Sequence, residues 1–315
     1  MEYSNLASKA FRLYNEGKYI ETYQFVTDHR NDFNEYGAHI YNLRYCTACM
    51  TGQMEQALNL MKEAILGHGY WYSYDYLFHE EDLVTIRDRD EFKELADICR
   101  QRELEAIASV KSDMLVLKPV DFNHDEKYPL MIILHGNGQN MLISKDSWAS
   151  DGTKNFILAF PQSSQITFSG AYVWNDYRKG CDEVKSHYQR LLSEKYIDNE
   201  KVIICGFSAG TRTALYSILS ESVNVKGFIF SGSWLPELDE WEPLFHRIKS
   251  KEIKGYIICG DMDKISMEST KKLAELLEKK GIKFKLHYIK DMWHEYPEDF
   301  DKYLDEAIDF ISTKD

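Results

Sequence analysis

At 315 residues the chain is long enough for two domains, and its 44% apolar and 28% charged residues are typical of a globular protein, not a disordered or fibrous one. The formal net charge of −13 at pH 7 argues against nucleic acid or an anionic lipid surface as a partner, because both are bound chiefly through Lys and Arg. No run approaches the roughly 20 apolar residues that span a bilayer, and the first residues do not form a signal peptide. We therefore expect no membrane insertion and a cytoplasmic location.

The first third of the chain has a helical pattern. From Leu6 to about Glu105 the apolar residues recur at helical spacing, which predicts an all-helical domain over residues 1–105. Residues 16–22 and 51–57 are similar turn segments that start about 35 residues apart, close to the period of a tetratricopeptide array. The domain therefore resembles tetratricopeptide (TPR) repeats, and plain helical hairpins are the alternative. A TPR-like scaffold would bind a protein partner or mediate self-association.

The cysteines indicate core packing. Six cysteines are too few for a disulfide framework in a chain of this length, and we expect all of them to be reduced. Cys46 and Cys49 form a CxxC pair within the helical pattern, but no second pair or histidine follows at zinc-site spacing. We interpret both as core residues, and the sequence predicts no metal site.

After about residue 106 the pattern changes to short apolar runs that alternate with amphipathic helices. This alternation is typical of an α/β domain, a mostly parallel sheet with helices on its faces, and we predict one over residues 106–315. The predicted strands are 114–117, 130–134, 156–160, 202–205, 227–230, 256–259 and 284–289. The predicted helices are 182–195, 209–220, 241–251, 268–280 and 297–313. Two of the strands, 202–205 and 256–259, are unbroken apolar runs, as buried parallel strands require.

One motif carries a chemical prediction. Gly206–Gly210 has the pattern G-x-S-x-G and lies directly after a predicted buried strand and before a predicted helix. The pattern alone is weak, but this context is that of a nucleophile elbow, a sharp turn that exposes a serine hydroxyl above the sheet. The flanking glycines permit the strained turn, and the helix N-terminus directs N–H groups at a developing oxyanion. Ser208 is the predicted nucleophile.

A serine nucleophile needs a histidine base, and the histidine needs an orienting carboxylate. Beyond an elbow of this kind the expected chain order is serine, acid, histidine. Asp261 and Asp263 lie in the loop after a predicted strand, and both are candidate acids. His294 follows the last predicted strand and is the predicted general base, whereas His287 lies within that strand and is interpreted as a sheet residue. A third candidate acid, Asp291, is too close to the histidine along the same loop to hold its ring.

The oxyanion donors are expected on two segments. His135–Asn140 is a glycine-rich loop directly after the predicted strand 130–134, so a backbone N–H there can turn towards a substrate carbonyl. The backbone N–H groups of Asn137 and Ala209 are the predicted pair. His135 is interpreted as bracing the loop by hydrogen bonding and not as transferring protons.

Together these pieces identify a family resemblance. Residues 106–315 resemble the phospholipase/carboxylesterase and dienelactone-hydrolase branch of the α/β-hydrolase superfamily. The matching pieces are Leu134–Gly136, Gly206–Gly210, Gly260–Asp263, His294 and Pro297. The resemblance implies a triad of Ser208, Asp263 and His294. It also implies Asn137 and Ala209 as oxyanion donors, carboxylic ester substrates, in some members thioesters or peptides, and no cofactor. The chain departs from the family at Thr211–Arg212, where another glycine is common, so the first helical turn beside the pocket is bulkier.

The sequence thus predicts a carboxylesterase-type serine hydrolase that cleaves a small-molecule ester or thioester through an acyl-enzyme on Ser208. A peptidase or amidase with the same triad is one alternative, because the acyl-enzyme mechanism also serves amides. The other is an inactive, hydrolase-like protein-binding module built on the TPR-like domain. The presence of serine, acid and histidine in the expected order argues against this second alternative.

A dense aromatic segment, residues 70–78, belongs to the helical half. Aromatic side chains bury large apolar areas and are frequent at interfaces. The junction at residues 103–111 lacks the Pro-, Gly- or Ser-rich run of a flexible tether. One hypothesis is that the helical half packs against the hydrolase half and borders its active-site entrance. The alternative is that these aromatic residues fill the helical half's own core.

Overall fold

The computed structural model describes residues 3–313, and the chain forms two compact units. The helical unit comprises the chain up to Lys111 together with Gln165–Tyr172. The sheet unit comprises Ser112–Ser164 and the chain from Val173 onwards. A short segment from within the predicted α/β sequence therefore belongs to the helical unit. The domain boundary at residues 105/106 stays a prediction.

The helical unit is built from amphipathic helices around one that is almost completely buried. Its helices are α1 (Tyr3–Asn15), α2 (Tyr19–Asp28), α3 (Gly37–Met50), α4 (Met54–Lys62), α5 (Tyr74–His79) and α6 (Asp90–Ser109). In α1 the buried side chains, Tyr3, Leu6 and Ala10, follow helical spacing. Nearly every residue of α3 is buried, so this helix forms the centre of the unit.

The two similar turn segments have the same structure. Gly17 follows α1 with φ 74° and Gly52 follows α3 with φ 75°, a left-handed conformation that glycine adopts at little cost. After each glycine the next N–H bonds back to a carbonyl five residues earlier, from Lys18 to Leu13 and from Gln53 to Ala48. Both helices thus end in the Schellman motif, which satisfies carbonyls that the helix leaves unpaired. The TPR resemblance itself stays a prediction.

The CxxC cysteines lie in the core of the helical unit. Cys46 and Cys49 are buried on α3, and burial raises the pKa of both thiols. All six cysteines of the chain lie within residues 3–313, and each is buried and free of disulfide bonds. The interpretation of this pair as packing residues is confirmed.

The aromatic segment pairs with the segment that the helical unit takes from the α/β sequence. That segment is a hairpin of β4 (Ile166–Phe168) and β5 (Ala171–Tyr172). The Ser73 N–H donates to the Thr167 carbonyl and the Ser169 N–H to the Trp71 carbonyl, each at 3.0 Å. The prediction of an all-helical half therefore misses an extended segment, because a strand this short has no readable periodicity.

The aromatic side chains fill the core of the helical unit. Trp71, Tyr72 and Leu77 are buried there, and Ile166 and Phe168 of the hairpin pack against the same cluster. The alternative that these residues complete their own unit's core is thus confirmed for the buried ones. The hypothesis that the helical half borders the entrance stays a prediction.

Within the described chain, seven strands form the main sheet, in the order β1-β3-β2-β6-β7-β8-β9. Their bounds are β1 (Asp113–Leu117), β2 (Tyr128–Leu134), β3 (Ile157–Gln162), β6 (Ile197–Phe207), β7 (Gly227–Ser231), β8 (Lys254–Gly260) and β9 (Phe284–Ile289). β1 is antiparallel to β3, and the other neighbouring strands are parallel. All the predicted strands are present, and the predicted α/β-hydrolase architecture is confirmed.

Helices cover both faces of this sheet over separate apolar clusters. They are α7 (Met141–Trp148), α8 (Tyr177–Leu192), α9 (Ala209–Leu219), α10 (Leu238–Trp241), α11 (His246–Ser250), α12 (Met267–Lys279) and α13 (Phe300–Ser312). The single helix predicted over 241–251 is wrong, because Pro243 lies in a 3₁₀ turn between α10 and α11. α8 begins earlier than predicted, where Asp176 accepts bonds from two N–H groups of its first turn. α7 was not predicted, and α13 begins later than predicted.

None of the helices in residues 3–313 is long and apolar enough to cross a membrane.

Candidate active site

The predicted nucleophile lies in a sharp turn between β6 and α9. Ser208 has φ 51° and ψ −125°, a conformation that costs a non-glycine residue on the order of 1–3 kcal/mol. Its N–H donates to the Ser231 carbonyl on β7 at 3.1 Å. Its carbonyl accepts the Thr211 N–H at 3.0 Å and the Thr211 hydroxyl at 2.6 Å. The neighbouring strand and the first helical turn thus hold the strained residue from both sides.

The glycines of the motif are required by close backbone contacts. A Cβ on Gly206 would lie 2.8 Å from the Thr211 nitrogen. A Cβ on Gly210 would lie 2.5 Å from the His135 carbonyl oxygen and 2.6 Å from that of Leu134. Helix α9 therefore begins in direct contact with the loop after β2, and this contact leaves no room for a side chain.

Three of the predicted residues form one hydrogen-bonded chain. His294 Nε2 lies 2.8 Å from Ser208 Oγ, and His294 Nδ1 lies 2.7 Å from Asp263 Oδ2. An ionised carboxylate only accepts hydrogen bonds, so Nδ1 carries the proton and the Nε2 lone pair faces the serine hydroxyl. The geometry therefore suits proton transfer from the hydroxyl to the imidazole.

The carboxylate in this chain is buried and well bonded. Asp263 is only 2% exposed, and its second oxygen accepts the N–H groups of Ile265 and Ser266 at 3.0 and 3.1 Å. Burial alone would raise the pKa of Asp263. The hydrogen bond and charge of His294, together with the Ser266 bonds, outweigh burial and lower this pKa below its usual value. Asp263 is thus held as the anion that the imidazole needs.

The other candidate acids do not reach the histidine. Asp261 is exposed, and its backbone N–H donates to the Ile289 carbonyl at the end of β9. Asp291 is exposed in the turn after β9. His287 stacks on Tyr256 within the sheet, as its interpretation as a sheet residue predicts.

The imidazole of His294 is confined by close packing. A Cβ on Gly260 would lie 2.1 Å from the Met292 carbonyl oxygen, so the acid loop and the histidine loop touch through their backbones. A Cβ on Gly232 would lie 3.0 Å from His294 Cε1. The Phe207 ring lies 4.9 Å from the imidazole, centre to centre. The imidazole is therefore held beside Ser208.

The predicted oxyanion donors lie at the same edge of the sheet. β2 and β6 pair in parallel with Leu134 opposite Gly206, so the Asn137 loop and the elbow follow adjacent strand ends. A Cβ on Gly136 would lie 2.8 Å from Phe207, which places this loop against the elbow. Ala209 is the first residue of α9, and its N–H has no acceptor within the helix.

His135 braces the loop, as predicted. Its imidazole is fully buried, with Nδ1 2.8 Å from the Gly136 carbonyl and Nε2 accepting the Ser163 N–H at 3.4 Å. Burial lowers the pKa of His135 to about 4, although the bond to Gly136 opposes this shift. The Trp174 indole N–H donates to the His135 carbonyl at 2.8 Å. The ring is therefore neutral and structural at pH 7.

Several hydrogen bonds and ion pairs around the site were not predicted from the sequence. The Trp174 N–H donates to Asn137 Oδ1 at 2.8 Å, and Asn137 Nδ2 donates to Asn175 Oδ1 at 3.0 Å. Arg212 is buried beside the elbow and pairs with Glu237. The departure from the family at Thr211–Arg212 was a sequence signal that pointed to this group.

The fold and this arrangement of side chains define the class of protein as an α/β hydrolase. Within residues 3–313 no group of three or more His, Cys, Asp or Glu side chains is arranged to hold a metal ion. The chemistry available at the elbow is that of a hydroxyl, an imidazole and a carboxylate in series.

Comparisons with known proteins give the family. Residues 118–314 match the phospholipase/carboxylesterase family, to which the chain therefore belongs. Residues 2–107 match a family described as an A/B hydrolase-like N-terminal domain. The chain is thus a hydrolase of an esterase-type family, and its first third matches the N-terminal domain described for A/B hydrolase-like proteins.

Many solved structures are similar to the chain, among them the following two. An uncharacterized protein from Bacillus cereus ATCC 10987 is 37% identical over 99% of each chain, with a TM-score of 0.58. The esterase PE8 is 19% identical over 64% of this chain and 98% of its own, with a TM-score of 0.53, and shows the shared fold alone. Among curated proteins none matches the chain significantly.

Proposed function

We propose that the protein is a serine esterase that hydrolyses a small-molecule carboxylic ester or thioester through an acyl-enzyme on Ser208. The observation that carries the proposal is the hydrogen-bonded chain from Ser208 Oγ through His294 to Asp263, with distances of 2.8 and 2.7 Å. Membership in the phospholipase/carboxylesterase family supports esters as the substrate class.

In the first half-reaction Ser208 Oγ attacks the carbonyl carbon while its proton moves to His294 Nε2. The carbonyl oxygen becomes an oxyanion that accepts the N–H groups of Ala209 and Asn137. Collapse of this intermediate breaks the bond to the leaving alcohol or thiol, which takes the proton back from Nε2. Asp263 holds the imidazole in the required tautomer and stabilises the imidazolium.

In the second half-reaction water attacks the acyl-enzyme. His294 Nε2 takes a proton from the water, and the same N–H groups stabilise the second oxyanion. When the bond to Ser208 breaks, the serine oxygen recovers its proton from His294. The carboxylic acid is released, and every proton is accounted for without a cofactor.

The test combines labelling with a substrate screen. A fluorophosphonate should modify Ser208 in the folded protein, which mass spectrometry of the digested adduct would locate. p-Nitrophenyl esters of increasing acyl length, a thioester and aminoacyl amides should be assayed beside Ser208→Ala. We expect turnover of an ester and a loss of at least about a thousandfold in Ser208→Ala. Ser193→Ala, on an exposed serine after α8, is the matched control and should retain activity.

The outcomes separate the alternatives. Label on another serine would contradict the mechanism. No label on a folded sample would contradict it as well and would favour a hydrolase-like binding module. Turnover of amides but not esters, with the label on Ser208, would assign the same triad to a peptidase or amidase.

A further inference from the structure

Arg212 is a buried cation four residues after the proposed nucleophile. It lies on the first turn of α9 and is only 8% exposed, which is unusual for arginine. Its Nε donates to Glu237 Oε2 at 2.7 Å and its Nη2 donates to Glu237 Oε1, so the guanidinium and the carboxylate form a two-point fork. The Tyr177 and Trp234 ring centres lie 4.5 and 5.2 Å from its Cζ. The guanidinium is therefore fixed from three directions.

One donor of the guanidinium is directed elsewhere. Arg212 Nη1 donates to the main-chain carbonyl of Asn175 at 3.0 Å. The side chain of the same asparagine accepts a bond from Asn137 Nδ2, and the adjacent Trp174 N–H donates to Asn137 Oδ1. Both polar atoms of the Asn137 side chain are thus held by residues 174–175. We call residues 135–140, which include Asn137, the oxyanion loop. Arg212 is linked to this loop by two hydrogen bonds through Asn175.

We propose that Arg212 is a positioning residue for the oxyanion loop: it fixes Asn175, and through Asn175 it fixes Asn137, whose backbone N–H stabilises the developing charge. The inference rests on the proposed function, because it concerns the same site. In this role Arg212 acts through Asn175 and not on the reacting atoms.

The exposure of the two asparagines is the reason why the loop needs such support. Asn137 and Asn175 are both solvent-exposed, so hydrogen bonds between them compete with water and add little order by themselves. A bond from a buried guanidinium to the Asn175 carbonyl is charge-assisted, and such bonds are roughly twice as strong as neutral ones. An oxyanion donor must already lie in place before the reaction, since the transition-state stabilisation that it provides depends on preorganisation.

The test is Arg212→Gln in the full chain, with kcat and KM measured on the best p-nitrophenyl ester. Loss of one oxyanion donor lowers kcat by a factor of about 10²–10³. A donor that is present but less firmly held should lower kcat by less, about 10- to 100-fold. KM should change by less than about threefold, because the lost interaction exists chiefly in the transition state. Arg212→Lys keeps the charge beside Glu237 but not the fork, so it should recover part of the lost kcat.

A second readout reports on the oxyanion without turnover. A trifluoromethyl ketone forms a tetrahedral adduct when Ser208 Oγ bonds to its carbonyl carbon and the hydroxyl proton passes to His294. The resulting oxyanion needs the same N–H donors as the ester intermediate. The affinity of Arg212→Gln for this ketone should therefore fall by the same factor as kcat/KM.

Arg247, on α11, offers a matched control because it contacts the opposite end of α9. Its Nη1 donates to the Leu219 carbonyl and its Nε lies 3.8 Å from Glu221, so it also joins a carboxylate to a backbone carbonyl. Arg247→Gln should lower the melting temperature of the protein but leave kcat within about twofold of wild type. If this control lost kcat as Arg212→Gln does, the effect would be one of stability, and the inference would be overturned.

Asn137→Ala tests the last link and serves if Arg212→Gln does not fold. We expect this exposed side chain to be dispensable for folding, and its loss should lower kcat without raising KM. When Asn137→Ala is already present, Arg212→Gln should lower kcat by less than a further factor of about three, because both substitutions disrupt the same series of hydrogen bonds. Full additivity of the two losses would overturn the inference. So would a kcat within threefold of wild type in Arg212→Gln, or a raised KM with kcat unchanged.

Failure of the proposed function is a separate result. If Ser208 is not the nucleophile, the wild-type protein shows no Ser208-dependent hydrolysis and forms no ketone adduct, which overturns both proposals. If only the inference fails, wild-type hydrolysis and the adduct remain and Arg212→Gln behaves like wild type.

Discussion

The buried imidazole of His135 should make the stability of the sheet unit depend on pH. Burial lowers the pKa of His135 from 6.5 to about 4 in the folded protein. In the unfolded chain the same imidazole returns to a pKa of about 6.5. As the pH falls below 6.5 the unfolded state binds a proton that the folded state does not, so the free energy of unfolding decreases. The decrease stops near pH 4, where the folded protein also binds the proton.

The size of the effect follows from the two pKa values. Each pH unit between them is worth about 1.4 kcal/mol, which amounts to about 2 kcal/mol by pH 5 and about 3 kcal/mol by pH 4 relative to pH 7. A domain of ordinary stability has about 5–15 kcal/mol in total, so this single residue should account for a large share of its acid sensitivity.

The assay compares wild type with His135→Asn by urea unfolding at several pH values between 7 and 4, followed by Trp174 and the other tryptophans of the sheet unit. The neutral amide keeps one donor and one acceptor but cannot bind the proton. The variant should be less stable at pH 7, and its deficit should shrink by about 3 kcal/mol towards pH 4. His246→Asn, on an exposed imidazole with the same kind of bond to a backbone carbonyl, is the control and should follow wild type. An equal deficit of His135→Asn at pH 7 and pH 4 would refute the argument.

Three further predictions concern the acid, the elbow and the hairpin. Asp263→Asn should lower kcat by up to about 10⁴-fold, whereas Asp261→Asn should stay within about twofold of wild type; the reverse order in ester assays would reassign the acid. Gly210→Ala should lower the free energy of unfolding by about 1–3 kcal/mol, although alanine favours helix, because its Cβ would meet two backbone carbonyl oxygens; a variant as stable and active as wild type in melting and ester assays would contradict this. A fragment of residues 106–315 should aggregate in light-scattering experiments, since its β4–β5 hairpin loses the extended segment around Tyr72 with which it pairs. Replacing the hairpin with a short Gly-Ser linker should restore solubility, and a soluble unmodified fragment would show that this pairing is dispensable.

The main sheet could be predicted because burial leaves a strong sequence pattern. Parallel strands covered on both faces must be apolar throughout, and Val202–Cys205 and Tyr256–Cys259 are fully buried, as their sequences indicate. The missed elements are short. Ile166–Phe168 is a half-buried strand of three residues, below the length at which alternation can be read. α7 carried a signal that could have been used, since Asn140 caps it through bonds from two N–H groups.

The candidate site was predictable to the extent that its chemistry depends on chain order. The elbow and His294 follow strand ends that the pattern locates, so their approach across the sheet edge could be inferred. The strand pattern alone leaves Asp261 and Asp263 equal, because both lie in one turn, and the choice of Asp263 came from the family resemblance. In the structure Asp263 turns inwards, and the N–H groups of Ile265 and Ser266 hold it there.

The surroundings of the oxyanion loop depend on contacts between distant parts of the sequence. Arg212 bonds to Glu237 25 residues later and to Asn175 37 residues earlier, and neither spacing has a periodic signature. A lone arginine after an elbow reads as a surface residue, since burial of its charge is costly without a partner. The fold brings together the Glu237 carboxylate, the Asn175 carbonyl and two aromatic rings. The planar guanidinium bonds to both oxygen-bearing groups and packs against the rings at the same time. At the position where the resembled family has another glycine, the chain has Thr211, whose hydroxyl bonds to the carbonyl of the strained Ser208. The next residue, Arg212, bonds to the carbonyl of Asn175, whose side chain contacts Asn137.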